Sequence, residues 1–136
     1  MRAIGATADG SYQRQRGSRA VRVGIIDTGI DASHPDLPAG FDRELSHNFT
    51  VDDPVIDGPC EAEPDQSCND PADVDERGQG SHVAGIVGAA LNGLGTAGVA
   101  PDVTLINLRA GHDSGSFSSA RPLTRSRTPA TTASTS

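Results

Sequence analysis

Apolar residues in this chain are gathered into short runs that are separated by long polar stretches. The clearest run, Val21 to Ile26, is rich in β-branched residues and stops at Asp27, which Thr28 and Gly29 follow. A short apolar run bounded by glycine is typical of a buried strand. Ligands gather at the carboxyl ends of strands in α/β sheets, so Asp27 is a candidate site residue. Alternatively, Asp27 only opens the turn made with Gly29.

Three further segments show regular patterns. Apolar residues at helical spacing, with glycine and alanine between them, predict a helix from Ser81 to about Leu91 that packs closely on a sheet. A β-branched run predicts a strand from Thr104 to Leu108, and a weaker pattern predicts a short strand around Leu45 to Phe49. Together these elements predict an α/β fold.

Composition limits what the chain can be. Of its 136 residues, 35% are hydrophobic and 3% aromatic, which is poor material for a core, so the domain is either marginal or incomplete. The net charge of -7 and the absence of a basic cluster argue against nucleic acid or an anionic membrane as partner. No apolar run is long enough for a membrane helix, and no secretion signal follows Met1.

Residues 51–77 form an acidic, proline-containing stretch. Such a stretch predicts a surface loop, and its charges are most simply a solvated face. Calcium binding or recognition of a basic substrate are the alternatives.

The two cysteines, Cys60 and Cys68, lie within this acidic loop. Their close spacing suggests a local disulfide and therefore an oxidising compartment. Two free thiols remain an alternative, and a metal site is less favoured because no histidine lies nearby in the sequence.

Three motifs in one order carry a family resemblance. Asp27-Thr28-Gly29 ends the first strand, the Gly-rich GQGSHVAGIVGAAL of residues 78–91 opens the helix, and GVAPDVTLINLR of residues 98–109 leads into the last strand. This series resembles the subtilisin-like serine peptidases (subtilases) over roughly residues 3–116. The resemblance implies a three-layer α/β fold with a parallel sheet. The chain would hold the N-terminal part of it, truncated after about the third strand.

The resemblance also divides the chain. Residues 1–20 would be an N-terminal arm, and residues 21–111 a partial peptidase domain that includes the acidic loop 51–77. Residues 112–136 are dominated by Ser, Thr, Ala, Arg and Pro. We expect this tail to be either a disordered linker or the product of a reading-frame shift shortly after Gly115.

The family's catalytic triad is only partly matched. By resemblance Asp27 is the triad aspartate, but Gln79 stands where the family has its catalytic histidine. His82 matches a second, structural histidine of the family and is not the base. A glutamine amide cannot exchange a proton near pH 7. No serine here has the family's Gly-Thr-Ser context, so the nucleophile is absent and we expect the chain to be inactive.

The resemblance further implies a calcium site. In the family a carboxylate from a Ser-His-Pro-Asp turn joins an asparagine and main-chain carbonyls, and oxygen ligands of this kind suit Ca²⁺. The matching residues here are Asp36, Asn92, Ala90, Leu94 and Thr96. The alternative is that Asp36 is a turn residue and Asn92 a helix C-cap. Catalysis in the family needs no cofactor.

The sequence is therefore compatible with three functions. The first is a truncated, inactive member of a secreted serine endopeptidase family, whose intact relatives hydrolyse polypeptides. The second is a non-catalytic, peptidase-derived binding protein that retains Ca²⁺. The third rests on Asp27-Thr28-Gly29, which also resembles the Asp-Thr-Gly of aspartic peptidases, although those need a second aspartate. We expect a monomer, extracellular by resemblance but without a signal peptide in this chain.

Overall fold

The computed structural model describes most of the chain before residue 118. The described residues are Gly5, Thr7, 10–55, 57–60 and 67–117, with the backbone alone described at residue 38. Residues 118–136 lie outside them, so the expectation of a disordered or frame-shifted tail stays a prediction for that part. Most of residues 1–9 also lie outside, and the arm is described chiefly from residue 10 onward.

Two α-helices, three strands and a 3-10 turn make up the described fold. In chain order these are α1 (Ser11–Arg14), β1 (Arg22–Ile25), the 3-10 turn (Pro38–Gly40), β2 (His47–Asn48), α2 (Gln79–Gly88) and β3 (Thr104–Arg109). Each of the three predicted strands is present, and β2 is only two residues long.

The strands form one parallel sheet in the order β1-β3-β2. Arg22 pairs with Thr104 and Ile25 with Asn107, while His47 pairs with Leu108. The central strand β3 is therefore flanked on both sides by strands that precede it in the chain, with α2 on the connection from β2. The α/β architecture and the parallel sheet predicted from the sequence are confirmed.

Helix α2 approaches the sheet through its small residues. Ala84 is fully buried, and a Cβ placed on Gly88 would lie only 3.1 Å from a methyl carbon of Leu105 in β3. Ile25 and Val103 belong to the same core cluster. A bulkier residue at position 84 or 88 would push the helix away, so the alanine and glycine content of α2 sets the thickness of this layer.

The bounds of α2 differ from the sequence prediction at both ends. The helix begins two residues before Ser81 because the Asp75 carboxylate accepts hydrogen bonds from the main-chain N–H groups of Gly78, at 3.0 Å, and Ser81, at 2.8 Å. It ends at Gly88, where the chain turns so that the Ala90 N–H reaches the Asp36 carbonyl at 2.9 Å. The prediction of Asn92 as a C-cap is therefore wrong.

The face of β3 that carries its buried side chains is partly polar. Leu105, Asn107 and Arg109 alternate along the strand and are each fully buried. Along β3 the buried side chains therefore change from the hydrophobic Leu105 to the Asn107 amide and then to the Arg109 guanidinium. The polar end of this face lies at the carboxyl edge of the sheet.

Candidate active site

Asp27 lies two residues beyond the last residue of β1, at the edge where its strand pattern predicted it. Its exposed fraction is 9%, and its Oδ1 accepts a hydrogen bond from the Thr28 N–H at 2.8 Å. The Asp27 carbonyl accepts two more, from the N–H groups of Ala110 at 3.0 Å and Gly111 at 3.1 Å. These bonds fasten the end of β1 to the residues that leave β3, so the carboxylate sits on a rigid support.

The first turn of α2 is pressed against this strand end. The Thr28 hydroxyl donates to Asp75 Oδ1 at 2.9 Å and accepts from the Gly80 N–H at 3.2 Å. A Cβ on Gly80 would lie 2.0 Å from the Gly29 carbonyl oxygen and 3.1 Å from Asp27 Cβ. Only glycine fits at position 80, and this close approach brings the start of the helix beside the aspartate.

Gln79 is the first residue of α2 and is exposed. Because consecutive Cα atoms are about 3.8 Å apart, the contact of Gly80 places the Gln79 Cα within about 8 Å of Asp27 Cβ. The two predicted triad positions are thus neighbours in the fold. The side chains at these two positions are a carboxylate and an amide, and an amide cannot act as an acid or base near neutral pH.

His82 lies elsewhere on the helix. It is exposed and lines an open cavity of about 610 Å³, to which Asp31, His34 and Ile86 also contribute. Asp27 is not among the lining residues of this cavity. The only histidine on α2 therefore contributes to a cavity that Asp27 does not line.

The residues predicted for a calcium site do come together. Asp36 is 4% exposed, its Oδ2 accepts the Thr96 N–H at 3.0 Å, and its Oδ1 lies 3.4 Å from Asn92 Nδ2. Asn92 Oδ1 in turn accepts the Leu94 N–H at 2.9 Å. A Cβ on Gly95 would overlap Asp36 Oδ2, so residues 92–96 wrap tightly around the carboxylate. Here the carboxylate serves as the hydrogen-bond acceptor that closes the loop.

A buried cluster of charged side chains, which the sequence did not predict, surrounds Arg109, one residue before the Ala110 that is bonded to the Asp27 carbonyl. Arg109 Nη1 meets Asp70 Oδ2 at 2.5 Å, and Nη2 meets Asp113 Oδ1 at 2.7 Å. The same Nη2 lies 3.3 Å from Asp52 Oδ1 and 3.7 Å from Glu76 Oε2, so four carboxylates surround the guanidinium. The prediction that the acidic charges of residues 51–77 form a solvated face is wrong for Asp52 and Asp70, which are buried counter-ions of the β3 arginine.

The pKa values of two cluster members, Asp52 and Arg109, and of the nearby Asp57 are shifted from their ordinary values. Burial, reinforced by the charge of Asp70 and opposed by that of Arg109, raises the pKa of Asp52 to about 7. Burial acts to lower the pKa of Arg109, but Asp70, Asp113 and Asp52 outweigh it and raise that pKa. Burial acts to raise the pKa of Asp57, yet hydrogen bonds from Asp53, Ser114 and His112 hold it below its ordinary value.

Cys60 and Cys68 form a disulfide, as their spacing suggested. The Asp52 N–H donates to the Cys68 carbonyl at 2.9 Å, so the disulfide loop is joined to the segment that supplies the buried carboxylate. Among the described residues of the acidic loop, this bond links Cys68 to the folded structure around Arg109.

Comparison with known proteins identifies the family. A model described as the Subtilase family matches residues 18–125, which is more than half of the chain. The chain belongs to the subtilase family. The match includes Asp27-Thr28-Gly29, so the similarity of this tripeptide to aspartic peptidases needs no separate explanation.

Individual relatives of this subtilase chain are serine proteases. It is 37% identical to an intracellular serine protease of Paenibacillus polymyxa over 77% of its own length and 27% of the relative's. It is 38% identical to subtilisin DY of Bacillus licheniformis, over 71% of its length and 27% of the relative's. It is 36% identical to a minor extracellular protease, Vpr, of Bacillus subtilis, over 67% of its own length and 10% of the relative's. The chain thus spans about a quarter or less of these relatives.

A solved structure supports the same fold. The crystal structure of a lanthipeptide protease superimposes with a TM-score of 0.52 and 28% identity, covering 77% of this chain and 24% of that one. None of the helices among the described residues has the length and apolarity to span a membrane.

The sequence-predicted site residues are therefore partly assembled. The structure brings Asp27 beside the start of α2, which carries Gln79, and it groups Asp36 with Asn92, Leu94 and Thr96. Sequence reasoning missed the buried cluster around Arg109. The sequence did contain a signal for this cluster. Arg109 follows Leu105 and Asn107 at alternate positions on the inner face of β3, and a buried cation there needs nearby carboxylates.

Proposed function

We propose that this chain is a partial subtilisin-like serine endopeptidase domain that does not hydrolyse peptide bonds by itself. The observation that carries the proposal is the identity of residue 79. The chain folds so that the first residue of α2 lies beside the buried Asp27, and that residue is a glutamine. Relatives described as serine proteases supply the reaction class.

The physical argument concerns proton transfer. A serine hydroxyl becomes a useful nucleophile only when a neighbouring base removes its proton, and the base needs a carboxylate to orient it and to stabilise its charged form. Asp27 has the burial and support expected of such a carboxylate. Gln79 cannot supply the base, and the 136 residues contain no Gly-Thr-Ser sequence. The acyl-enzyme route of the family is therefore closed to this chain.

Fluorophosphonate labelling tests this proposal, because the reagent reacts with activated serines. We expect no label on the purified chain and no hydrolysis of a casein substrate above that of the Asp27→Asn control. Labelling that disappears in Asp27→Asn would refute the proposal. Activity that is equal in both proteins identifies a contaminating peptidase, and the labelled band then has a different mass from the chain.

We also propose that the loop around Asp36 binds Ca²⁺, which would make the chain a non-catalytic binding protein. The supporting observation is that the buried Asp36 carboxylate and the Asn92 side chain lie in one tightly wrapped loop, with Asn92 Nδ2 at 3.4 Å from Asp36 Oδ1. Carboxylate, amide and carbonyl oxygens fit Ca²⁺ in chemical type. A cation there would replace the hydrogen bonds that the carboxylate accepts from Asn92 and Thr96. The remaining ligands would be carbonyls of Ala90, Leu94 and Thr96.

Calcium-dependent stability tests this second proposal. With a dissociation constant of about 10⁻⁴ to 10⁻³ M, as in extracellular modules, 10 mM Ca²⁺ adds about 1.4–2.7 kcal/mol to the free energy of unfolding. We expect this gain in the unmodified chain and its loss in Asp36→Asn. An equal gain in both proteins, or none in either, would contradict a site at Asp36. Mg²⁺ at the same ionic strength is the control for salt effects.

For localisation we propose an oxidising, extracellular environment and a monomeric chain. The Cys60–Cys68 disulfide supports the compartment, although the relatives include both intracellular and extracellular serine proteases. Mass spectrometry of alkylated protein from natural cell fractions should find the bridged form in the external fraction. Light scattering should give the mass of one chain.

A further inference from the structure

A group of side chains that could ligate a metal ion lies beside the Arg109 cluster. Asp52, Asp57 and His112 each offer one ligand atom, and these three atoms lie within 4.8 Å of one another. The side chains are deeply buried, with exposed fractions of 1% for Asp52, 0% for Asp57 and 7% for His112. Carboxylate oxygen and imidazole nitrogen together form a typical donor set for a divalent cation.

Main-chain hydrogen bonds hold Asp57 in place. Its Oδ2 accepts the Asp53 N–H at 2.9 Å, and its Oδ1 accepts the Ser114 N–H at 3.1 Å. The main chain of His112 is fixed in a similar way, because its N–H donates to the Ser116 carbonyl at 2.8 Å. Two of the three donors are therefore preorganised by the backbone.

The third donor provides independent support for a ligand. One oxygen of Asp52 faces Arg109 Nη2 at 3.3 Å, while the other, Oδ2, is buried and has no hydrogen-bond partner in the described part of the chain. A buried carboxylate oxygen without a partner is costly to keep. Arg109 does not satisfy it, since its shorter contacts are with Asp70 and Asp113.

The dimensions of the group suit a small ion. His112 Nδ1 lies 3.0 Å from Asp57 Oδ2. Ligand atoms around a tetrahedral Zn²⁺, with bonds of about 2.0–2.1 Å, lie about 3.3 Å apart, so a slight opening of this contact admits the ion. The other acidic group, formed by Asp52, Asp70 and Glu76, differs because the Arg109 guanidinium already lies among its carboxylates.

We propose that Asp52, Asp57 and His112 bind a divalent transition-metal cation of the Zn²⁺ class. The imidazole donor favours such an ion over Ca²⁺ or Mg²⁺, which prefer oxygen ligands throughout. The site would anchor the segment after β3, whose Gly111 N–H is bonded to the Asp27 carbonyl at 3.1 Å. A bound ion would thus stabilise the edge of the sheet that carries the triad aspartate.

Equilibrium dialysis of the oxidised full chain against Zn²⁺, with metal quantified by mass spectrometry, tests this proposal. We expect about one Zn²⁺ per chain and a loss of affinity of about tenfold or more in Asp57→Asn and His112→Gln. His82→Gln is the matched control, because His82 is exposed on α2 and should leave the affinity unchanged. Absence of stoichiometric binding, or an equal loss in the control, would overturn the assignment.

Two measurements on the unmodified chain avoid the risk that a variant fails to fold. X-ray absorption of the Zn²⁺ complex should show a single imidazole together with oxygen ligands, whereas sulfur or exclusively oxygen ligands would refute the site. A hundredfold excess of Ca²⁺ should leave the bound Zn²⁺ in place. Displacement by Ca²⁺ would contradict the choice of a transition metal.

Discussion

A histidine placed at position 79 should have its proton affinity raised by Asp27. Residue 79 is the first residue of α2, and its Cα lies within about 8 Å of Asp27 Cβ. The substitution Gln79→His therefore installs an imidazole within reach of a buried carboxylate that Thr28 holds in place. The experiment measures the pairing of carboxylate and imidazole alone and needs no nucleophile.

The size of the effect follows from Coulomb's law. At an effective dielectric constant of about 20, unit charges about 6 Å apart attract by about 2.8 kcal/mol. Solvent at the exposed position 79 reduces this energy, and we take half of it, about 1.4 kcal/mol, as the expected value. That energy corresponds to about a tenfold decrease in the proton-dissociation constant of the imidazole.

Proton NMR titration of the imidazole signals provides the assay. The comparison is between Gln79→His and the double variant Gln79→His with Asp27→Asn, which preserves the shape of residue 27 but removes its charge. We expect the imidazole pKa to be higher in the single variant. Equal pKa values in the two proteins would show that the start of α2 does not face Asp27, and our account of the site would then be wrong.

Three further predictions concern stability, each measured as the free energy of unfolding by circular dichroism in urea. Gly80→Ala forces a methyl group against a carbonyl oxygen and should lower the free energy of unfolding by about 1–3 kcal/mol, whereas Gly85→Ala, which has open space around it, should raise it by about 0.5–1 kcal/mol. Equal effects of the two substitutions would contradict the close approach of α2 to the end of β1. Arg109→Met leaves buried carboxylates without a counter-ion and should lower the free energy of unfolding by about 3–5 kcal/mol, whereas Arg43→Met, at a side chain that is 65% exposed, should lower it by less than about 1 kcal/mol. Similar losses in the two variants would argue against the buried cluster. Reduction of the disulfide, which joins residues separated by 8 positions, should cost about 2–3 kcal/mol by the loop-entropy estimate, and an unchanged midpoint would refute that estimate.

Local patterns predicted the elements of this fold well. The β-branched runs ending at Ile26 and Leu108 became β1 and β3, because a run of apolar residues between glycines and polar turns can be buried only as a strand or a helix. The small residues of α2 correctly predicted a close approach to the sheet, which Gly88 and Leu105 show. The parallel pairing came from the family resemblance and not from the residues alone.

Long-range contacts explain what the sequence did not reveal. Helix α2 starts early because Asp75 and Thr28, which are distant from each other in the chain, satisfy its first N–H groups. The acidic loop is partly buried because Arg109 lies at the end of the inner face of β3. A run of carboxylates is interpreted as a solvated surface unless the position of the cation that neutralises it is known. That position depends on the register of the sheet.

Strand β1 also has consequences for how the chain behaves at high concentration. Within the described residues it pairs with β3 on one side only, and its flanks expose Val21 (51%) and Ile26 (67%). Arg22 is its single charged residue, so electrostatic repulsion gives the open edge little protection. Two chains that meet edge to edge could extend the sheet between them, and the rate of such encounters rises with the square of the protein concentration. Dilute handling should therefore reduce the loss of protein to precipitation.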